Sequence, residues 1–434
     1  MATLKIERLL INIVIELKNK IDIDTVSNSD YMWCTLPSGL KVVYRYTDSN
    51  VSYCGFVVNA GTRDEVQGKE GLAHYVEHML FKGTHKHKAI HILNCMERVG
   101  GEINAFTSKE ETVIYTVSLE PDLKRAVTLM SDIIQNSSFP ERESIKEKEV
   151  IVDEINSYLD NPAELIFDEF ENHLFQNHDL GHNILGDTDS LSRITSADGL
   201  SFISDFYAQN NMVFFFSGKT KFDKVIKIVS EAVENIRTER VEFARKAPGL
   251  ITRFDKHEEC DNYQSHAIMG GRCYSIYDKE RFDLFLLNNI LGGPGMNSML
   301  NVALREKRGY VYNVEANITN YSDTGLFTIY FGTDRKNVDK CFDIIRKNLN
   351  ELKRKELSTQ QLLNAKRQYM GQLTIGRENR ESLAVASGKA LLFHGRCTTL
   401  ADTIHKIESI TAKDIIECAN VVYADDNLST LVLS

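Results

Sequence analysis

One pattern occurs twice in this chain and limits its architecture more than any other. Residues 104–119 read as strand, turn and strand, and the helix after them ends in Asp132-Ile133-Ile134. Residues 311–331 read the same way, and the helix after them carries Asp343-Ile344-Ile345. A unit repeated at that scale points to a duplicated domain. The length of 434 residues agrees, because surface scaling favours two cores over one. The expectation is an α+β fold of two similar domains, each a mixed or antiparallel sheet packed with helices. An N-terminal extension covers 1–25, a first domain 26–237, a charged and turn-rich linker 238–255, and a second domain 256–434.

Local patterns fill in the halves. Lys41–Tyr46 and Val51–Val58 read as strands, with Thr47-Asp48-Ser49-Asn50 as a hairpin turn between them. The almost wholly apolar run 212–217 fits a central strand buried on both faces. Residues 141–159 form a long charged helix, and 163–175, 222–236 and 281–291 carry further helices. Residues 297–308 are helical too, ahead of paired strands at 311–318 and 325–330.

Composition narrows the function classes. A net charge of −10 and the lack of any dense basic block exclude nucleic acid as the expected partner. Eight cysteines are scattered with no Cys-x-x-Cys pair, which reads as free thiols in a reducing, cytoplasmic compartment. The apolar run 9–15 follows Lys5, Glu7 and Arg8 and is too short to span a bilayer. It makes a poor signal peptide and is expected to form an amphipathic helix, so no membrane partner is expected.

Chemistry concentrates in Gly71-Leu72-Ala73-His74-Tyr75-Val76-Glu77-His78-Met79-Leu80. Leu72, Val76, Met79 and Leu80 recur at helical spacing, so the stretch is a helix with one buried face. His74 and His78 are four apart and point the same way. Two neutral imidazoles so placed can hold one zinc ion, and Glu77 lies on nearly the same face, able to take a proton from water. The order His-x-x-Glu-His is the inverted form of the zinc-protease motif, the inverzincin arrangement.

Two histidines do not complete a catalytic zinc site, which uses three protein ligands. The helix 141–159 offers Glu141, Glu143, Glu147, Glu149, Asp153 and Glu154. Spacing does not choose among them, although Glu147 and Glu154 share a face two turns apart.

The stretches 60–65, 71–84 and 100–112 resemble the pitrilysin, or insulinase, family of zinc metallopeptidases, and most of all its mitochondrial processing peptidase-like subfamily. The resemblance runs from about residue 30 to near the end of the chain. It implies Glu154 as the third zinc ligand and Glu147 as a supporting acid, with Glu77 as general base and one zinc per chain. It implies two similar domains, each a sheet with helices on one side. It implies that an extended peptide adds to the edge strand 101–107, with Asn104, Ala105 and Phe106 facing it. Such an edge binds any extended chain through main-chain hydrogen bonds. The stretch 304–312 resembles the family's arginine and tyrosine element, which by position makes Arg305 and Tyr312 the groups that contact the substrate carbonyl or steady the oxyanion.

Other clusters carry less. Gly292-Gly293-Pro294-Gly295 has no Gly-Lys-Ser/Thr after it, so it reads as a connecting loop. His85, His87 and His91 lie in a lysine-rich loop and read as exposed histidines. By the resemblance around 181–187, His173, His178 and His182 are structural loop residues.

The family chamber is built from four domains, and this chain has two. It keeps both the zinc motif and the arginine–tyrosine element, so a homodimer is expected, with a heterodimer of related subunits as the variant. The expected function is a zinc-dependent endopeptidase that cleaves extended, unfolded peptides in an enclosed chamber. The alternative is a catalytically inactive relative acting as a scaffold or chaperone-like subunit.

Overall fold

The computed structural model describes residues 24–249, 253–260 and 263–434; the helix expected over 9–15 lies outside them. The strands are β1 (Thr25–Ser27), β2 (Met32–Thr35), β3 (Lys41–Tyr46), β4 (Val51–Val58), β5 (Glu102–Thr107), β6 (Thr112–Leu119), β7 (Met212–Gly218), β8 (Asp255–Glu258), β9 (Ser265–Cys273), β10 (Val311–Asn320), β11 (Gly325–Thr333) and β12 (Ser429–Leu433). The helices are α1 (Leu72–Leu80), α2 (Ala89–Glu97), α3 (Leu123–Asn136), α4 (Glu141–Leu159), α5 (Pro162–Leu174), α6 (Thr188–Arg193), α7 (Ser196–Phe206), α8 (Phe222–Val233), α9 (Arg281–Gly292), α10 (Val338–Arg354), α11 (Thr359–Gly376), α12 (Arg380–His394), α13 (Leu400–Ser409) and α14 (Ala412–Val422). Among the described residues, no helix is long and apolar enough to cross a membrane.

The first sheet runs β1-β2-β3-β7-β4-β6-β5. It is mixed, with β3 and β7 parallel and the other neighbours antiparallel. The hairpin expected at Thr47-Asp48-Ser49-Asn50 does not form, because β7 inserts between β3 and β4. Every residue of β7 is buried, so it gains most from the middle of the sheet. The four-residue link easily crosses the two strand spacings, about 10 Å, that this requires. Alternation sends Phe215 to one face and Phe214 and Phe216 to the other. On the first face Ala384 and Leu391 of α12 pack against Val57 and Phe215. A Cβ added at Gly388 would sit 2.8 Å from Val57 Cγ2, so the helix needs glycine there. On the other face α3 lies against β4 and β6, and Phe222 of α8 meets the ring of Tyr44 edge-on at 5.4 Å.

The second sheet runs β10-β11-β9-β12-β8 and is antiparallel except for the pair β12 and β8. Ala267, Met269, Phe327 and Ile329 pack with α9, α10 and α14. Ile268, Leu326, Tyr330 and Leu431 lie under Ile166, Phe170 and Leu174 of α5. Both sheets therefore carry helices on both faces, which corrects the expectation of helices on one side.

The two compact units are not contiguous halves. The first gathers the chain up to Asp153 with 184–245 and 377–399; the second gathers 154–183, 246–376 and 400–434. The expected ranges 26–237 and 256–434 are thus exchanged at α5, which joins the second unit, and at α12, which joins the first. Each of these helices buries one face, and the sequence does not say which sheet receives it. The boundary falls inside α4, a single unbroken helix. The expected linker is partly structural, because Arg245 donates to both Asp64 oxygens, at 2.9 and 2.7 Å, and β8 begins at Asp255.

Candidate metal centre

Helix α1 starts at Gly71, whose φ of +92° is left-handed. A Cβ there would also lie 2.5 Å from the Leu185 carbonyl oxygen. The Glu65 carboxylate accepts from the Gly71 N–H at 2.9 Å and the Ala73 N–H at 2.7 Å, satisfying donors that a helix start leaves open. Leu72, Val76, Met79 and Leu80 are at most 3% exposed, each burial stabilising the fold by about 1.5–3 kcal/mol. That apolar stripe fixes the roll of the helix. The Tyr75 hydroxyl, 2.6 Å from Ser144 Oγ, ties α1 to α4.

With the roll fixed, His74 and His78 stand together, their ring centroids 4.6 Å apart and edge to face. Glu154 reaches them from α4. One ligand atom from each of His74, His78 and Glu154 lies within 4.8 Å of the others. His74 is buried, and that burial, with the neighbouring His78 charge second, pushes its pKa down to about 3. The imidazole is therefore neutral and keeps a lone pair for a metal.

Glu147 stands two turns before Glu154 on α4. Its Oε2 is 3.1 Å from His78 Nδ1, and its Oε1 accepts from Lys82 Nζ at 2.6 Å. A carboxylate on Nδ1 turns Nε2 toward the ligand position. Lys82 lies just past the end of α1, and its pairing with this acid is one that spacing does not encode. Two imidazoles and one carboxylate fit zinc, and three protein ligands leave a coordination position open.

Glu77 is half-buried on the same helix. Burial first, and the Glu77 charge after it, raise the phenol of the buried Tyr207, so that hydroxyl stays protonated. Strand β5 is the edge of the first sheet and, among the described residues, pairs only with β6. Asn104, exposed, stands opposite Tyr115; Ala105 and Phe106, half-buried, stand opposite Ile114 and Val113. Phe106 is held by the Tyr115 ring at 6.4 Å and by Lys389 Nζ, 5.1 Å from its centroid.

In the second unit the structure brings Arg305 and Tyr312 together, with the guanidinium 5.7 Å from the ring centroid. Arg305 lies in a π-type turn, Asn301–Glu306, and Tyr312 in a bulge between Val311 and Val314. Both irregularities aim side chains outward, and Tyr312 is 83% exposed.

The remaining histidines divide. His87 pairs with Asp132 at 2.9 Å, and His85 and His91 are exposed. His173 departs from the expected loop role: it lies in α5, and Glu169 and Glu258 converge on it.

The description "Insulinase (Peptidase family M16)" matches residues 41–188, and "Peptidase M16 inactive domain" matches 193–369. The chain belongs to the insulinase family, M16. The motif helix, Glu147 and Glu154 fall in the first M16 segment, and Arg305 and Tyr312 in the second. An uncharacterized zinc protease of Bacillus subtilis is 29% identical over 92% of this chain and 97% of its own. An uncharacterized zinc protease of Streptomyces coelicolor is 31% identical over 88% of this chain and 84% of its own. Two solved structures share the fold. A protease from Helicobacter pylori has a TM-score of 0.84 at 22% identity over 95% of this chain and 99% of its own. A peptidase M16 inactive domain from Pseudomonas fluorescens has a TM-score of 0.86 at 19% identity over 95% of this chain and 97% of its own.

Proposed function

We propose that this M16 chain is a zinc endopeptidase that cleaves extended, unfolded peptides. The convergence of His74, His78 and Glu154 beside Glu77 carries the reading. Zinc held by those three groups, one ion per chain, supplies Lewis-acid polarisation of the scissile carbonyl and makes water a better nucleophile at neutral pH. Glu77 takes the proton from the attacking water and returns it to the leaving amine. Glu147, with Lys82 behind it, holds the His78 ring in place. Strand β5 receives the peptide as an added strand, with Asn104, Ala105 and Phe106 along it. Arg305 and Tyr312 donate to the oxyanion, supplied across a homodimer, or by a related subunit in a heterodimer.

The test is cleavage of unstructured peptides by the purified chain, with and without a chelator. The reading expects cleavage that the chelator stops and zinc restores. Glu77→Gln retains zinc while turnover falls about 10²–10⁴-fold, the span of a general base. Wild-type turnover in that variant contradicts the base assignment. Zinc-loaded protein that cleaves no peptide favours the scaffold role instead, the reading in keeping with the inactive-domain neighbour.

A further inference from the structure

A second group of metal-ligating side chains lies in the second unit. Glu169 and His173 are four apart on α5 and so share one face. Glu258 ends β8 and meets them: its Oε1 is 3.0 Å from His173 Nε2, and ligand atoms of all three lie within 4.8 Å of one another. The His173 ring is steadied by Phe254, 5.4 Å away and edge to face, and Phe254 in turn meets Phe170 of the core at a tilt, 5.2 Å between centroids. The cluster is thus preorganised from a helix and a strand.

Its charges are out of balance. The nearby cation is Lys256, whose Nζ lies 3.0 Å from His173 Nδ1 and 3.4 Å from Nε2. That ammonium meets the imidazole of a group that also carries two carboxylates. Lys256 is exposed and free to swing into water. The Asn172 amide borders the group, its Nδ2 3.5 Å from Glu169 Oε1. Its buried Oδ1 has no hydrogen-bond partner among the described residues, and an amide flip would turn that oxygen to the cluster.

We infer that Glu169, His173 and Glu258 form a second site for a divalent transition-metal ion, for which Lys256 is the built-in competitor. One imidazole with two carboxylates suits Zn²⁺, Co²⁺ or Mn²⁺ better than Ca²⁺. The site binds more weakly than the two-imidazole centre on α1, because it is half-exposed and must displace an ammonium. A bound ion would clip α5 to β8, so binding and the stability of the second unit rise together.

Equilibrium dialysis of the full chain against Zn²⁺, with metal content read by atomic emission, tests this. His74→Ala/His78→Ala vacates the first centre. That variant is expected to keep one binding event, which adding His173→Ala removes. Lys256→Met is expected to tighten the same event by about tenfold, since a competing charge at contact distance is gone. A structural ion pair alone would lose stability in Lys256→Met and gain no metal. Should His173→Ala fail to fold, as circular dichroism would show, Glu169→Gln and Lys256→Met decide. Metal uptake that none of these substitutions alters, or uptake absent from the His74→Ala/His78→Ala variant, overturns the site.

Discussion

Glu147 holds His78 from behind: its carboxylate lies 3.1 Å from the ring Nδ1 and takes the Lys82 ammonium at 2.6 Å on its other oxygen. Lys82, Glu147 and His78 thus form one chain of contacts that ends on the imidazole ring. Glu147 is only 7% exposed, so its charge needs both partners.

Glu147→Gln therefore weakens zinc binding by about 10–100-fold, the usual loss when the carboxylate behind a ligating imidazole is removed. Isothermal titration with zinc reads this directly. An unchanged affinity would mean that the His78 ring is oriented by packing alone.

Gly71→Ala acts on the start of the motif helix. The left-handed φ costs about 1–3 kcal/mol for a residue with a side chain. The 2.5 Å approach of a new Cβ to the Leu185 carbonyl adds to that cost. The expected result is a lower melting temperature and reduced zinc occupancy in the same sample. A lower melting temperature with full occupancy would separate the helix start from the metal centre.

Asp283 gives a pH dependence unconnected with the metal. Burial, then Asp414 and Glu280, push its carboxyl from 3.8 up to about 6. A raised folded pKa leaves stability full below about pH 3.8 and removes it as pH rises through about 6. Asp283→Asn is expected to stabilise the chain at pH 8 and to change nothing near pH 4. The group is half-exposed and sits in the first turn of α9, where a negative charge is favoured. The gain at pH 8 is accordingly about 1 kcal/mol, or about 2 °C in melting temperature. Equal effects at the two pH values would contradict the assignment.

Much of this was legible in the sequence, for reasons that are local. The apolar stripe of Leu72, Val76, Met79 and Leu80 states the period of α1, and the charged run 141–159 has the bounds of α4 to the residue. The β5–β6 pair and the buried strand β7 follow from alternation and apolar run length. Partner choice was not local. Nothing in Lys41–Tyr46 or Val51–Val58 says that Met212–Gly218 will separate them, because a short link permits either arrangement. The exchange of α5 and α12 between units has the same origin. Arg245 looked like linker charge, but its side chain closes on Asp64 and Glu110 with Arg63 beside them, a pairing across the fold that spacing does not encode. At the site, the two histidines and Glu77 could be read from one helix. Glu154 needed the resemblance, and the contacts of Lys82 and of His173 became visible only in the fold.

The most direct test of the metal centre is anomalous diffraction at the zinc absorption edge from crystals of Glu77→Gln carrying a single zinc equivalent per chain. The account predicts one dominant peak in contact with His74, His78 and Glu154. A dominant peak elsewhere in the molecule, or at the two imidazoles with the Glu154 carboxylate turned away, would contradict it.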